Sequence, residues 1–199
     1  NLVETAKYLI EKGFVVIRVG SVVNKPINYS HERMKDYPYS GYQNDFLDIF
    51  ILANCKFVIS SGTSGMTDVA AISDSPILAV NIVEFGYAPI SKNCIYIPKK
   101  HKYLNTNNYL HFKDALNLGD FWHNPAALGL ETEENSSQEI LEATKEMLAR
   151  LKNKFSYSPD SEKLIQAYHK LWRESTVSAN LSKTPIGISW LKQNRDLFF

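Results

Sequence analysis

The chain has 199 residues, 44% hydrophobic and 22% charged, which suits one globular domain, or one domain with an appendage, and supplies enough apolar material for a core. Lys and Arg number 22 against 21 Asp and Glu, so a formal net charge of +1 offers no electrostatic argument for nucleic acid or an acidic membrane face. No apolar run approaches the roughly 20 residues of a bilayer-spanning helix; "IFILA" fits inside one globular helix. No signal-peptide pattern opens the chain. It starts without Met, directly in a helical pattern, and reads as a piece of a longer protein.

In chain order, "NLVETAKYLIEKG" puts Leu2, Val3, Ala6, Leu9 and Ile10 on one helical stripe, with Gly13 as its stop. "FVVIRVG" then reads as a buried strand ending at Arg18 and Gly20. Residues 21–43 are polar and irregular with two prolines, too long for a simple connection and of the kind that often carries function. "NDFLDIFILANC" predicts a helix capped by Asn44. "KFVISS" predicts a strand, 64–73 a helix, "SPILAVN" a third buried strand and "CIYIPK" a fourth. Buried runs separated by helices predict a parallel sheet covered on both faces.

From about residue 136 two amphipathic helices are expected. "SSQEILEATKEMLARLKNKF" opens with the Ser and Glu of a capping box, and "SPDSEKLIQAYHKLWRES" has Pro159 in its first turn. The tail "PIGISWLKQNRDLFF" is apolar enough to pack. The expected fold class is α/β, a Rossmann-like parallel sheet with helices on both faces plus C-terminal amphipathic helices. Residues 1–135 form the Rossmann-like part and 136–199 a helical extension packed on it.

The densest cluster of hydroxyls and glycines, "SSGTSGMTD" over 60–68, falls where a strand ends and a helix begins. Ligands of open parallel sheets bind at such strand ends. The opening turn of a helix offers unpaired N–H groups and a positive dipole end. Gly62 and Gly65 would let an anion approach the backbone, and Ser60, Ser61, Thr63 and Ser64 add short donors, together a cradle for phosphate or diphosphate. A tight turn with an N-cap uses the same residues, and composition alone does not choose between the two. P-loop and G-x-G-x-x-G spacings are absent, and Gly62-Thr63-Ser64-Gly65 misses the G-x-S-x-G spacing of a hydrolase nucleophile.

Arg18 and Gly20 end the first strand, where Arg18 could pair with a diphosphate or form a surface salt bridge. Asp68 could accept from a ribose hydroxyl, or it could serve the helix dipole. Asn81 and Glu84 follow the next strand as weaker candidates for ribose, base or sugar contacts. His31, His101, His111, His123 and His169 are scattered, and no metal site is expected. His31 is the one histidine held as a catalytic or ligand candidate, against the blander reading of a solvated loop residue. "KKHKY" over 99–103 reads as a solvated edge, with an anionic acceptor or membrane contact second. Cys55 and Cys94 read as reduced core residues of a cytosolic protein.

Four stretches, "GFVVIRVGSVVN", "NDFLDIFILANCKFVISSGTSGMTDVAAISDSPILAVN", "IPKK" and "ENSSQEILEATKEML", resemble a family of putative bacterial glycosyltransferases found with surface-polysaccharide genes, similar to the two-domain GT-B class. The resemblance implies the donor-binding, C-terminal half of such an enzyme. A nucleotide diphosphate sugar would be the substrate rather than a cofactor, with its diphosphate seated at the small-residue loop. Arg18 matches a position where related folds carry a phosphate-binding group. The class usually works without a bound metal, and an N-terminal acceptor domain commonly supplies the base. The implied partners are the donor, a glycan acceptor and that domain. The expected location is cytoplasmic, leaving open peripheral association with the inner membrane. Two alternatives stand beside this: a sugar-nucleotide epimerase, for which Glu32 and Asp36 are the available acids, and a non-catalytic nucleotide-sugar or partner-binding module.

Overall fold

The computed structural model describes residues 1–62, 64–83, 93–118, 124–175 and 185–199. Thr63, Glu84 and His123 lie outside the described residues. Helix α1 (Val3–Glu11) buries Thr5, Ala6, Leu9 and Ile10 along the expected stripe, with Leu2 as its N-cap. Gly13 follows at φ +91°, a left-handed turn that favours glycine. Strand β1 (Val16–Arg18) pairs in parallel with β2 (Met34–Asp36), which sequence reading left inside an irregular loop. β1 is not buried on both sides. It has α1 against it, yet Val15 and Ile17 are exposed.

Helix α2 (Asp45–Asn54) starts where expected, the Asn44 side chain accepting from the Leu47 N–H at 3.0 Å. Strand β3 (Val58–Ser61), helix α3 (Gly65–Ile72), β4 (Ile77–Ile82) and β5 (Ile95–Pro98) follow. The three strands form one parallel sheet in the order β3-β4-β5. Every residue of β4 and β5 is buried. Successive side chains point to opposite faces, so both faces of the sheet are covered. The fold is therefore α/β with parallel strands. Its parallel ladders fall into two groups, β1-β2 and β3-β4-β5.

An antiparallel pair, β6 (Lys100–Tyr103) with β7 (Leu130–Glu133), was not foreseen. Its register sets Lys100 opposite Glu133 and Lys102 opposite Glu131. Lys100 Nζ lies 2.5 Å from Glu133, Lys99 3.6 Å from Glu134, and Lys102 4.0 Å from Glu131. The Lys100 hydrogen bond, with a second from Tyr109, holds the Glu133 carboxyl below its usual range. The basic run is thus charge-paired across two strands rather than a freely solvated edge. His101, between the lysines, is buried. Loss of solvent, then the Lys99 charge, pushes its imidazole down to about 4.

Helices α4 (Phe112–Asn117), α5 (Ser137–Leu151), α6 (Pro159–Glu174) and α7 (Ile188–Gln193) complete the chain. The capping box at α5 is complete: Ser136 Oγ accepts from the Glu139 N–H, and Glu139 accepts from the Ser136 N–H. Ile140, Ala143 and Met147 of α5 pack in one core with the β4 and β5 side chains, joined by Tyr168 and Trp172 of α6 and by Phe112 and Phe198. The hydroxyls of Tyr96 and Tyr168 meet inside this core, and burial raises both phenols.

The tail packs as expected, and it also extends the sheet. The Tyr96 N–H donates to the Pro185 carbonyl (3.1 Å) and the Gly187 N–H to the Tyr96 carbonyl (2.9 Å), a parallel bridge beside β5. α7 is then tied to α5 by a charge. Glu146, buried, accepts from the Ile188 N–H (2.8 Å) and from Arg150 Nε and Nη2 (2.9 and 2.7 Å). Burial raises the Glu146 carboxyl, and Arg150 opposes that rise.

Two stability predictions follow from this packing. A Cβ at Gly187 would sit 2.8 Å from Ile97 Cγ2, and Ile97 is fully buried and cannot retreat. Gly187→Ala is expected to cost about 1–3 kcal/mol in urea denaturation. His101 is neutral when folded but takes up a proton below its ordinary value of 6.5 when unfolded. Its contribution is present above that pH and is lost as pH falls towards about 4. The slope is at most about 1.4 kcal/mol per pH unit. Denaturation from neutral to acid pH is expected to show a flatter dependence for His101→Gln than for wild type.

Candidate functional site

The strand-to-helix corner is built as its residue types suggest. β3 ends at Ser61, Gly62 turns the chain at φ +78°, and Ser64 caps α3, its Oγ accepting from the Met66 N–H at 3.3 Å. The Thr67 N–H returns to the Ser64 carbonyl at 2.8 Å. Ser64 is therefore a cap residue, with its hydroxyl proton still able to donate outward. Among the described residues nothing accepts from the Gly65 N–H. A Cβ at Gly65 would meet open space, so the backbone there is approachable.

Not every hydroxyl of the cluster faces outward. Ser60 is buried, with its Oγ against the Gly62 carbonyl (3.1 Å) and the Thr67 hydroxyl. The Gly62 N–H, expected as an anion donor, instead donates to the Val80 carbonyl at 2.9 Å, because the sheet ladder runs one residue past β3. Ser61 is exposed and its Oγ accepts from Asn81 Nδ2 at 2.9 Å, which leaves the Ser61 O–H free to donate. The outward donors of the corner are therefore the Ser61 hydroxyl, the Ser64 hydroxyl and the Gly65 N–H. Asp68 is exposed in the first turn of the same helix.

Asn81 is only 4% exposed and sits within β4 at φ +56°, a left-handed conformation that Asn tolerates better than most residues. It lies at an irregularity in the β4–β5 register, between Ala79 and Ile82. Its N–H donates to Asn135 Oδ1 (2.6 Å), and its own Oδ1 accepts from the Asn135 N–H (2.8 Å). Asn135, 1% exposed, also donates from Nδ2 to the Pro98 carbonyl (2.8 Å). Asn81 was foreseen as a ligand contact, but its polar atoms are engaged in the protein. It reaches the corner through Ser61. Asn135 was missed: its partner is 54 residues away, and no local spacing signals the pairing.

Arg18 and Gly20 belong to a different cluster. The β1–β2 register places Arg18 beside Asp36. Arg18 Nη1 donates to Asp36 Oδ1 (3.2 Å) and to the Lys25 carbonyl (2.9 Å), while the Ile27 N–H donates to Asp36 Oδ2 (2.8 Å). The pair closes the base of the loop after β1. None of the Arg18 hydrogen bonds or ion pairs reaches the 60–65 corner among the described residues. Gly20 accepts through its carbonyl from Gln43 Nε2. Glu32 projects into solvent beside Arg33. His31 is an exposed loop residue whose Nδ1 accepts from the Arg33 N–H.

Cys94 is buried and Cys55 half-buried, and neither forms a disulfide. Among the described residues no three His, Cys, Asp or Glu side chains converge as metal ligands would, and no helix is long and apolar enough to cross a membrane. A shallow groove of about 430 Å³, lined by Tyr103, Tyr109, His111 and Leu197 among others, contains none of the corner residues.

The Asn81–Asn135 link predicts a specific cost. Asn135→Ala would strand the buried Asn81 N–H and the Pro98 carbonyl. The expected loss is on the order of 3 kcal/mol in urea denaturation, and Asn135→Asp is expected to recover little of it at neutral pH, because it keeps the acceptor but sets a buried carboxylate oxygen against the Pro98 carbonyl. Comparison with protein-family models, with curated protein sequences and with solved structures returns no match.

Proposed function

We propose that this chain is the donor-binding, Rossmann-like half of a GT-B-like glycosyltransferase, which transfers a sugar from a nucleotide diphosphate sugar to a surface-glycan acceptor. The observation that carries this reading is the opening of α3. Its capped first turn leaves the Gly65 N–H, the Ser64 hydroxyl and the Ser61 hydroxyl facing outward at the carboxyl end of a parallel strand. Such donors stabilise negative charge that grows on a departing diphosphate, and they are held in place before the reaction begins. In the proposal Asp68, also in the first turn of α3, takes a ribose hydroxyl rather than phosphate, since a carboxylate beside phosphate would oppose it. The base that activates the acceptor is assigned to an acceptor domain facing this one. The epimerase alternative loses support, since Asp36 is committed to Arg18 and the Ile27 N–H.

Gly65 provides a test that separates binding from folding. Gly65 has ordinary φ and open space around it, whereas Gly62 at φ +78° would be strained by any side chain. A carboxylate introduced by Gly65→Asp lies at the positive end of α3 and favours the helix by about 0.3–1 kcal/mol. The same carboxylate repels a diphosphate. Titration calorimetry with UDP, GDP, CDP, dTDP and their sugars is expected to show binding to wild type that weakens at least tenfold in Gly65→Asp, with Tm unchanged or raised. No binding to wild type, or equal binding to both, would sink the proposal.

A further inference from the structure

The parallel strands of this chain do not join into one sheet. β1 pairs only with β2, and β3-β4-β5 form a separate ladder. In a parallel pair the N–H and C=O of one residue face the same neighbour, and alternate residues face opposite neighbours. The Val16 N–H donates to the Arg33 carbonyl, so the main-chain groups of Ile17 face away from β2. The Val58 and Gly62 N–H groups donate to the Pro76 and Val80 carbonyls, so those of Ile59 and Ser61 face away from β4. Among the described residues nothing pairs with the N–H of Ile17, Ile59 or Ser61. Burial follows the same line: β4 and β5 are buried throughout, whereas Val58 and Ile59 are half-buried and Ile17 is exposed. The Phe14 and Phe57 rings, just ahead of β1 and β3, meet edge-on with centroids 6.3 Å apart, so the amino ends of these two open-edged strands are neighbours.

Helix α1 says what belongs at these edges. Asn1 Nδ2 donates to the Asn135 carbonyl (2.9 Å), and Asn135 is bound to Asn81 near the carboxyl end of β4. α1 thus starts at the carboxyl end of the sheet, runs back to Gly13 and hands over to β1. That is the second half of a strand–helix–strand crossover, the connection parallel strands require. Such crossovers wind right-handed. β3–α3–β4 steps towards β5, with α3 and its neighbour α2 on one face of the sheet. α1 packs beside α5, which covers the other face of β4 and β5, so a strand feeding α1 must step the opposite way to reach β1. It therefore lies on the β3 side of β1, at the edge that β2 leaves open.

We infer that the polypeptide ahead of Asn1 supplies a parallel strand that inserts between β1 and β3 and joins the two ladders into one sheet. Its main-chain groups pair with Ile17 on one side and with Ile59 and Ser61 on the other. Paired on both edges and covered by α1, it is an unbroken apolar run of about 5–6 residues. A connection of about 2–6 residues separates it from α1. This inference does not rest on the donor-binding reading.

Amide exchange followed by NMR tests it on two polypeptides, residues 1–199 and the natural chain extended by about 20 residues before Asn1. In 1–199 the N–H groups of Ile17 and Ile59 are expected to exchange at least tenfold faster than those of Val16 and Ser60, which the ladders hold. In the extended chain Ile17 and Ile59 are expected to exchange as slowly as Val16 and Ser60. Ile17→Pro removes one of the open donors. In 1–199, where β1 is an edge strand that tolerates proline, it is expected to lower Tm by no more than a few degrees. In the extended chain it is expected to lower Tm by at least twice as much, because a ladder bond is lost. A natural chain with no such apolar run just ahead of Asn1 overturns the inference. So does slow exchange at Ile17 and Ile59 already in 1–199, or fast exchange there that the extension leaves unchanged.

Discussion

The reciprocal bond between Asn81 and Asn135 is the constraint on which the candidate site depends. A buried main-chain N–H and a buried amide must each find a partner, and here two asparagines satisfy one another's backbone and side chain at once. The pairing holds β4 in a left-handed residue at its carboxyl end. From that position Asn81 reaches Ser61 and fixes its hydroxyl at the corner. On its other side Asn135 immediately precedes the capping box of α5. Sheet, corner and the first of the long helices are thereby registered to one another by two side chains. Loss of this register would be felt in the orientation of Ser61 as well as in stability.

Several charged pairs join separate elements of this chain. The β6–β7 lysines and glutamates neutralise one another across the strands. Arg18 and Asp36 do so across β1 and β2, and Glu146, paired with Arg150 of its own helix, accepts from the Ile188 N–H at the start of α7. Part of the near-balance of charge is thus spent on pairs that the fold brings together. On the proposed reading, the corner would hold an anion by oriented dipoles and hydroxyls rather than by side-chain charge, a mode that depends on geometry and is screened little by salt at close range.

What could be read from the sequence was what local chemistry determines. Asn44, Ser64, Ser136 with Glu139, and Pro159 each announced a helix start within one turn of its own position, and each stands there. The buried strands β4 and β5 were legible from unbroken apolar runs. The corner was legible as a cap and a turn, yet which of its hydroxyls face outward was not. Ser60 and Ser61 are adjacent and of one type. The pleat and the Asn81 contact, both non-local, send one inward and leave the other exposed. β2, β6 and β7 are three or four residues long and polar, and they exist through their partners rather than through any propensity of their own. Arg18 read equally as a diphosphate partner or a surface salt bridge, and nothing near it in sequence reveals that the ladder would set it beside Asp36.

The parallel bridge at Tyr96 has a consequence for the order in which the molecule is assembled. The open edge of β5 is completed by Pro185–Gly187, roughly 90 residues later in the chain. As the polypeptide emerges from the ribosome, β3, β4 and β5 can pair well before that segment exists. During the interval the β5 edge presents unpaired main-chain groups flanked by Ile95 and Ile97, the kind of edge that recruits strands from other chains. Closure then docks Gly187 against Ile97 and sets Glu146 at the start of α7. Residues 185–187 act as the last fastening of this sheet edge, and the nascent chain is open to misassembly there until they have emerged.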